Sequence, residues 1–253
     1  LWNLELPNEV LAVHRAYIAA GSQWVTTNTF GANAGRLANS EWLPNQHEMN
    51  SAAVQIAMEA AEGSGAIVAG SVGPTGLGQS TFDDDLAQIY SEQIGHLVEA
   101  GVDLIAAETM SVHREVGALC KAAQDHQIAF TCTFSLHGVP DEYLKGHLRS
   151  LLDTVLPFQP IAVGINCGEG VVQALQALEV LTSLTNLPKI ARPNAGQPVI
   201  DNGVARYSLA SETFGEWSIA AAQAGASIIG GCCGVSPRHI AAANAALMTK
   251  YPD

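Results

Sequence analysis

Apolar positions along the chain alternate between two periodicities. Val10, Leu11, Val13, Tyr17 and Ile18 recur at helical spacing, and the pattern stops at Gly21, which predicts an amphipathic helix over 8–20. Trp24-Val25-Thr26-Thr27-Asn28 follows as a short run suited to a buried strand, then a polar loop through Gly35 and a second helical pattern over 45–62. This order of strand then helix persists down the chain. Ala66-Ile67-Val68-Ala69-Gly70 runs through the loop Gly73-Pro74-Thr75-Gly76-Leu77-Gly78 to a helix beginning near Asp83, and Asp83, Asp84 and Asp85 suit the positive end of a helix dipole. Further strands are expected over 102–108, 128–134, 161–166 and 189–192, with helices after Ser111 and over 149–156, 171–184 and 212–223. A hairpin is expected over 199–205, with Asn202-Gly203 as its turn. The last unit is the strand Ala226-Ser227-Ile228-Ile229 and a helix over 237–248.

The pattern amounts to seven βα units preceded by one helix without a strand. It predicts an α/β fold, a (β/α)8 TIM barrel lacking its first β-strand in this chain, as a single domain over 1–253. The rival, a doubly wound open sheet, would place a Gly-x-Gly-x-x-Gly turn after its first strand, and that motif is absent. With 253 residues, 48% hydrophobic and 14% charged, the chain can bury one large core. A formal net charge of -13 argues against nucleic acid or an anionic membrane surface as partner, since both need a basic patch. No apolar run reaches membrane-spanning length, and Leu1-Trp2-Asn3-Leu4-Glu5 carries no signal pattern, so a cytoplasmic location is expected. The first residue is not Met, which suggests a trimmed chain.

Five cysteines, two of them adjacent, suit a reducing compartment and metal ligation better than a disulfide framework. Cys232 and Cys233 stand in Gly230-Gly231-Cys232-Cys233-Gly234, just past a predicted strand. Neighbouring side chains on a strand point to opposite faces, so both can grip one ion only where the backbone bends, and the glycines permit the bend. Cys167 ends the run Ile161-Ala162-Val163-Gly164-Ile165-Asn166-Cys167 in the same way. Three thiolates make an open zinc site, with a fourth position left for a substrate. So much negative charge on the ion suits the activation of an incoming thiol for alkyl transfer better than the activation of water. Cys120, in a helix, and Cys132, in a strand, are expected to serve packing.

Glu108 closes the run Leu104-Ile105-Ala106-Ala107, where a carboxylate would meet a cation such as a substrate ammonium or a structural ion-pair partner. Asn28, Asn166 and Asn194 lie at or just beyond strand ends, where an amide either binds substrate or fixes a loop. The loop 70–78 lacks the Lys-Ser/Thr ending of a phosphate-binding loop and reads as a tight connection. His137 lies on the same face as the strand ends.

Together Asn166-Cys167, Gly230-Gly231-Cys232-Cys233-Gly234, Thr27-Asn28-Thr29-Phe30, Gly70-Ser71-Val72-Gly73-Pro74 and Glu108-Thr109 resemble the homocysteine S-methyltransferase family over essentially the whole chain. The resemblance implies a barrel whose Cys167, Cys232 and Cys233 hold zinc, with homocysteine as fourth ligand through its thiolate and Glu108 helping to hold its amino group. Pro193-Asn194-Ala195-Gly196 and Gly234 are more similar to the homocysteine module of cobalamin-dependent methionine synthase than to the S-methylmethionine branch. Family members begin with a strand carrying Asp-Gly, and this chain starts after it. Asp-x-His-x-x-Gly, the cobalamin-binding signature, is absent, so any corrinoid is expected on another domain or protein. Betaine or S-methylmethionine as donor, or a non-catalytic zinc-binding barrel, are the competing readings.

Overall fold

Each predicted βα unit is present. A computed structural model describes residues 1–77 and 81–252, so Gly78 of the glycine-rich loop lies outside the described residues. Two helices, α1 (Trp2–Glu5) and α2 (Pro7–Ala19), precede β1 (Trp24–Thr26). Then come α3 (Ala34–Leu37), α4 (Gln46–Ala61), β2 (Ile67–Val72), α5 (Asp83–Ala100), β3 (Leu104–Met110), α6 (His113–Asp125) and β4 (Phe130–Phe134). The rest of the chain is α7 (Leu144–Val155), β5 (Ala162–Cys167), α8 (Val171–Leu184), β6 (Lys189–Pro193), the hairpin β7 (Val199–Asp201) and β8 (Val204–Arg206), α9 (Ser211–Gln223), β9 (Ala226–Ile229) and α10 (Pro237–Lys250). The class is α/β with the alternation of a TIM-type barrel, and no strand precedes Trp24 among the described residues.

The chain divides into two compact units, Leu1–Cys132 with Thr154–Ile161, and Thr133–Asp153 with Ala162–Asp253. In the first, β1, β2 and β3 pair in parallel, with Val25 opposite Val68 and Ser71 opposite Ala106. Val25 and Val68 pack on Ala57 of α4, while Val10 and Leu11 of α2 pack on Ile56 and Ala60. Helices α4, α5 and α6 pack in succession. Tyr90, Ile94 and Leu97 on the inner stripe of α5 are fully buried, and each side chain of this kind contributes roughly 1.5–3 kcal/mol through burial.

In the second unit β6 lies between β5 and β9, again in parallel, with Ile165 opposite Ala191 and Ala191 opposite Ile229. Helix α8 covers β5 and β6, and α9 packs on both β9 and α10. The hairpin forms as expected, with Asn202 and Gly203 both at positive φ, the conformation a two-residue turn of this type requires.

Two of the boundaries that differ from the sequence expectation, and one added helix, have a plain local reason. The strand expected over 24–28 ends at Thr26, because the chain turns where Thr29 N–H bonds the Thr27 carbonyl at 2.9 Å. The helix expected over 149–156 begins at Leu144. Gly146 lowers its local propensity, but Leu144, Leu148, Leu151, Leu152 and Val155 form a buried stripe that outweighs the glycine. The short helix α3 was not expected in a stretch read as polar loop; the Asn33 side chain caps it by accepting from Arg36 N–H at 2.9 Å.

Candidate metal centre

In the second unit the C-terminal ends of β5 and β9 meet on either side of Pro193, the last residue of β6. Cys167 pairs with Pro193 in the β5–β6 register, and Cys232 N–H donates to the Pro193 carbonyl at 2.9 Å from the other side. Proline is tolerated there because it ends its strand, so no ladder bond is lost in the interior. The chain then turns: Val235 N–H bonds the Cys232 carbonyl at 3.2 Å, with Cys233 and Gly234 at the corner. Gly234 has φ +78, which only glycine adopts without strain. Gly231 is required for a different reason, since a Cβ there would fall 2.1 Å from Val235 Cγ1. This is the bend that adjacent cysteines need to face one point.

Cys167, Cys232 and Cys233 bring their sulfurs within 4.8 Å of one another, with Cys232 Sγ and Cys233 Sγ 4.0 Å apart. Two thiolates at about 2.3 Å from one tetrahedral ion stand about 3.8 Å apart, so the spacing fits a shared metal ion. Cys167 itself has φ 64, a left-handed conformation uncommon for a residue with a Cβ, which turns its sulfur out of the strand's alternation. Its thiol is held down to about 2, chiefly because Cys232 and then Cys233 hydrogen-bond to it, with Asn194 and the Gly168 N–H adding to the effect. Cys232 and Cys233 are pushed up, in each case first by that same bond to Cys167. A metal ion bound by the three sulfurs would displace the thiol protons.

Two of the three asparagines singled out in the sequence are built into this centre. Buried Asn194 donates from Nδ2 to the Gly168 carbonyl at 2.9 Å and accepts from Cys233 N–H at 3.1 Å, tying the two cysteine loops together. Buried Asn166 points Nδ2 at Cys232 Sγ, 3.7 Å away, and its Oδ1 accepts from Thr133 Oγ1 at 2.7 Å. Thr133 was not picked out from the sequence; nothing in a β-strand threonine signals such a role. Nor was Tyr207, whose ring lies against Gly234. His137 is exposed, with Nδ1 2.7 Å from Glu169 Oε1, and Glu169 Oε2 accepts from Gln197 Nε2 at 2.6 Å.

Glu108 and Asn28 belong to the first unit. Glu108 Oε2 accepts from Ser71 Oγ at 2.5 Å. Ser71 N–H in turn donates to Thr27 Oγ1 at 3.0 Å, and Thr27 Oγ1 lies 2.6 Å from Thr29 Oγ1. Asn28 is exposed; its Nδ2 donates to Asn3 Oδ1 at 2.9 Å, and Asn3 Nδ2 donates to the Asn28 backbone carbonyl at 2.9 Å. The loop after β2 is tied down by protein groups: Glu115 accepts from Thr75 N–H at 2.8 Å, and Arg36 donates to the Pro74 carbonyl at 3.1 Å. Cys120 and Cys132 are fully buried, and the Cys132 thiol is pushed up by its bond to Cys120 and by burial, as expected of cysteines used in packing.

The chain matches the family described as Homocysteine S-methyltransferase over residues 1–247. It is 28% identical over 267 residues to the methionine synthase of Mycobacterium tuberculosis (strain ATCC 25618 / H37Rv), covering 98% of this chain. It is 27% identical to that of Mycobacterium leprae (strain TN), covering 92%. The chain spans 22% and 21% of the length of those two proteins. Among solved structures it is similar to the homocysteine methyltransferase MmuM from Escherichia coli, with TM-score 0.80 to the oxidized form and 0.79 to the metallated form. Both are 26% identical, covering 96% of this chain and 86% of that one.

Proposed function

Because the chain belongs to the homocysteine S-methyltransferase family, a family of methyltransferases, we propose that it transfers a methyl group to the sulfur of homocysteine to form methionine, as a single homocysteine-binding barrel domain. The observation that carries this reading is the convergence of the Cys167, Cys232 and Cys233 sulfurs. Zinc is the proposed ion, since three thiolates and one open position are a catalytic zinc set. Bound there, zinc supplies the acidity that brings an incoming thiol down from its free pKa of about 8.5 while leaving the sulfur electron-rich.

The protein's own residues supply the rest. Asn194 and Asn166 hold the cysteine loops and direct amide N–H groups at sulfur, which fixes the ligand geometry before substrate arrives. Glu108 is proposed to receive the substrate ammonium, and its bond from Ser71 presets the carboxylate. Asn28 is proposed to line the amino-acid site. In the reaction the homocysteine thiolate forms a carbon–sulfur bond to the methyl carbon, and the departing donor keeps the electrons of the bond that breaks.

The methyl donor is proposed to be methylcobalamin or another methyl-corrinoid, brought by a separate domain or protein, in keeping with the likeness to methionine synthases. No helix among the described residues is long and apolar enough to cross a membrane, and free cysteines suit the reducing cytoplasm proposed here. The test is to measure zinc content and homocysteine binding of the purified chain, then methionine formation with methylcobalamin, S-methylmethionine and betaine in parallel. Homocysteine binding that depends on zinc, with turnover from methylcobalamin, is the expected result. A zinc-loaded protein that ignores homocysteine would overturn the reading, and turnover from another donor alone would overturn the donor.

A further inference from the structure

We propose that Tyr207 is a positioning residue of the metal centre, its phenol O–H donating to the sulfur of Cys233 while its ring braces the turn that carries this cysteine. The inference rests on the reading of the three cysteines as metal ligands.

Tyr207 follows directly on the hairpin β7–β8, and its place relative to Cys233 is set by backbone. Leu209 N–H donates to the Ala195 carbonyl at 3.2 Å, and Ala195 N–H donates to the Cys233 carbonyl at 2.9 Å. The segment is pinned from its far side by His239, whose Nε2 lies 2.9 Å from the Leu209 carbonyl while its Nδ1 closes the capping box of α10 with Ser236. Two links thus join the tyrosine segment to the cysteine turn and a third joins it to the helix that follows.

The ring itself lies on Gly234. A Cβ at that position would fall 2.2 Å from Tyr207 Cγ and 2.5 Å from both Cδ atoms, so the aromatic face occupies the space a side chain would take. With the ring seated on Gly234, the residue directly after Cys233, we place the phenol O–H within reach of the Cys233 sulfur. The donor set then becomes regular. Cys167 has Asn194 and the Gly168 N–H as partners, Cys232 is faced by Asn166 Nδ2, and Tyr207 would supply the donor to Cys233. Cys233 is the exposed member of the trio, and a thiolate open to water is the one most readily protonated away from its metal. A phenol donor lowers its basicity and holds its direction, which is the role that outer hydrogen-bond partners play at metal sites.

The experiment uses Tyr207→Phe, which keeps the ring on Gly234 and removes only the O–H, beside Tyr207→Leu, which removes the ring as well. Each protein is loaded with zinc and competed against a chelator, then loaded with cobalt(II) and its sulfur-to-metal charge-transfer band recorded. For Tyr207→Phe we expect an unchanged melting temperature and one metal per chain. Its metal affinity should fall by roughly 10–100-fold, and the charge-transfer band should move to lower energy, because a thiolate without its donor gives up charge more easily. Tyr207→Leu should lose metal at least as readily and melt lower. A metallated wild type with an unaltered Tyr207→Phe, in both competition and spectrum, would overturn the inference and leave the zinc reading standing. A wild type that binds no metal would overturn both.

Discussion

The two compact units hold their polar strand ends with different chemistry. In the first, hydroxyl groups do the work: Thr27, Thr29 and Ser71 are all but fully buried and bonded to one another, and they present a single carboxylate, Glu108. In the second, sulfur and amide groups do it, and the functional atoms are the more open ones, with Cys233 exposed and the asparagines that brace it buried. Both units place a residue with a left-handed backbone beside the group of interest, Thr109 (φ 62) after Glu108 and Cys167 (φ 64) in the trio itself. Such a conformation costs of order 1–3 kcal/mol and is kept only where the surroundings enforce it. The comparison teaches that a buried hydroxyl scaffold suits a fixed charge, whereas the cysteine centre leaves its sulfurs more open and buries the amides that support them.

The sharpest way to break the comparison is Cys232→Ala. It should abolish stoichiometric metal binding, because two thiolates and water hold the ion far less well than three. Cys120→Ala, a change at a packing cysteine, should leave metal content intact. Metal analysis that finds full zinc in Cys232→Ala would remove the trio from its role.

Next in size is Glu108→Gln in the first unit. An amide cannot offer the charge-assisted bond that an ammonium takes from a carboxylate, so homocysteine binding should weaken by roughly 1.5–3 kcal/mol with zinc content unchanged. Calorimetry returning the wild-type affinity would make Glu108 a structural carboxylate held by Ser71.

The smallest effect is on stability in mild acid. His14 is buried, its Nε2 has no hydrogen-bond partner among the described residues, and burial holds its pKa below the ordinary 6.5. The unfolded chain therefore binds this proton first. The contribution is fully present above about pH 6.5 and is lost as pH falls from there through the depressed folded value. His96 in the same unit is lowered in the same direction, by burial and then by His47. Thermal melts between pH 7 and 5 should show a shallower loss for His14→Asn than for wild type; parallel curves would remove His14 from the acid limb.

The sequence by itself determined the order of strands and helices, the α/β class and the identity of the cysteines that converge, because periodicity and the glycine-flanked cysteine pair are local signals. Even Val171–Leu184 was legible to the residue, since its apolar stripe is long and its ends are marked by Gly170 and Thr185. What only the tertiary structure decided are the contacts between residues far apart in the chain. That Asn166 faces Cys232 and Thr133, that Asn194 joins both cysteine loops, and that Tyr207 lies on Gly234 follow from strand register and hairpin placement. An asparagine at a strand end has the same local signal whether it binds a ligand or a loop. Its partner is chosen by neighbouring strands, which periodicity along one segment does not encode.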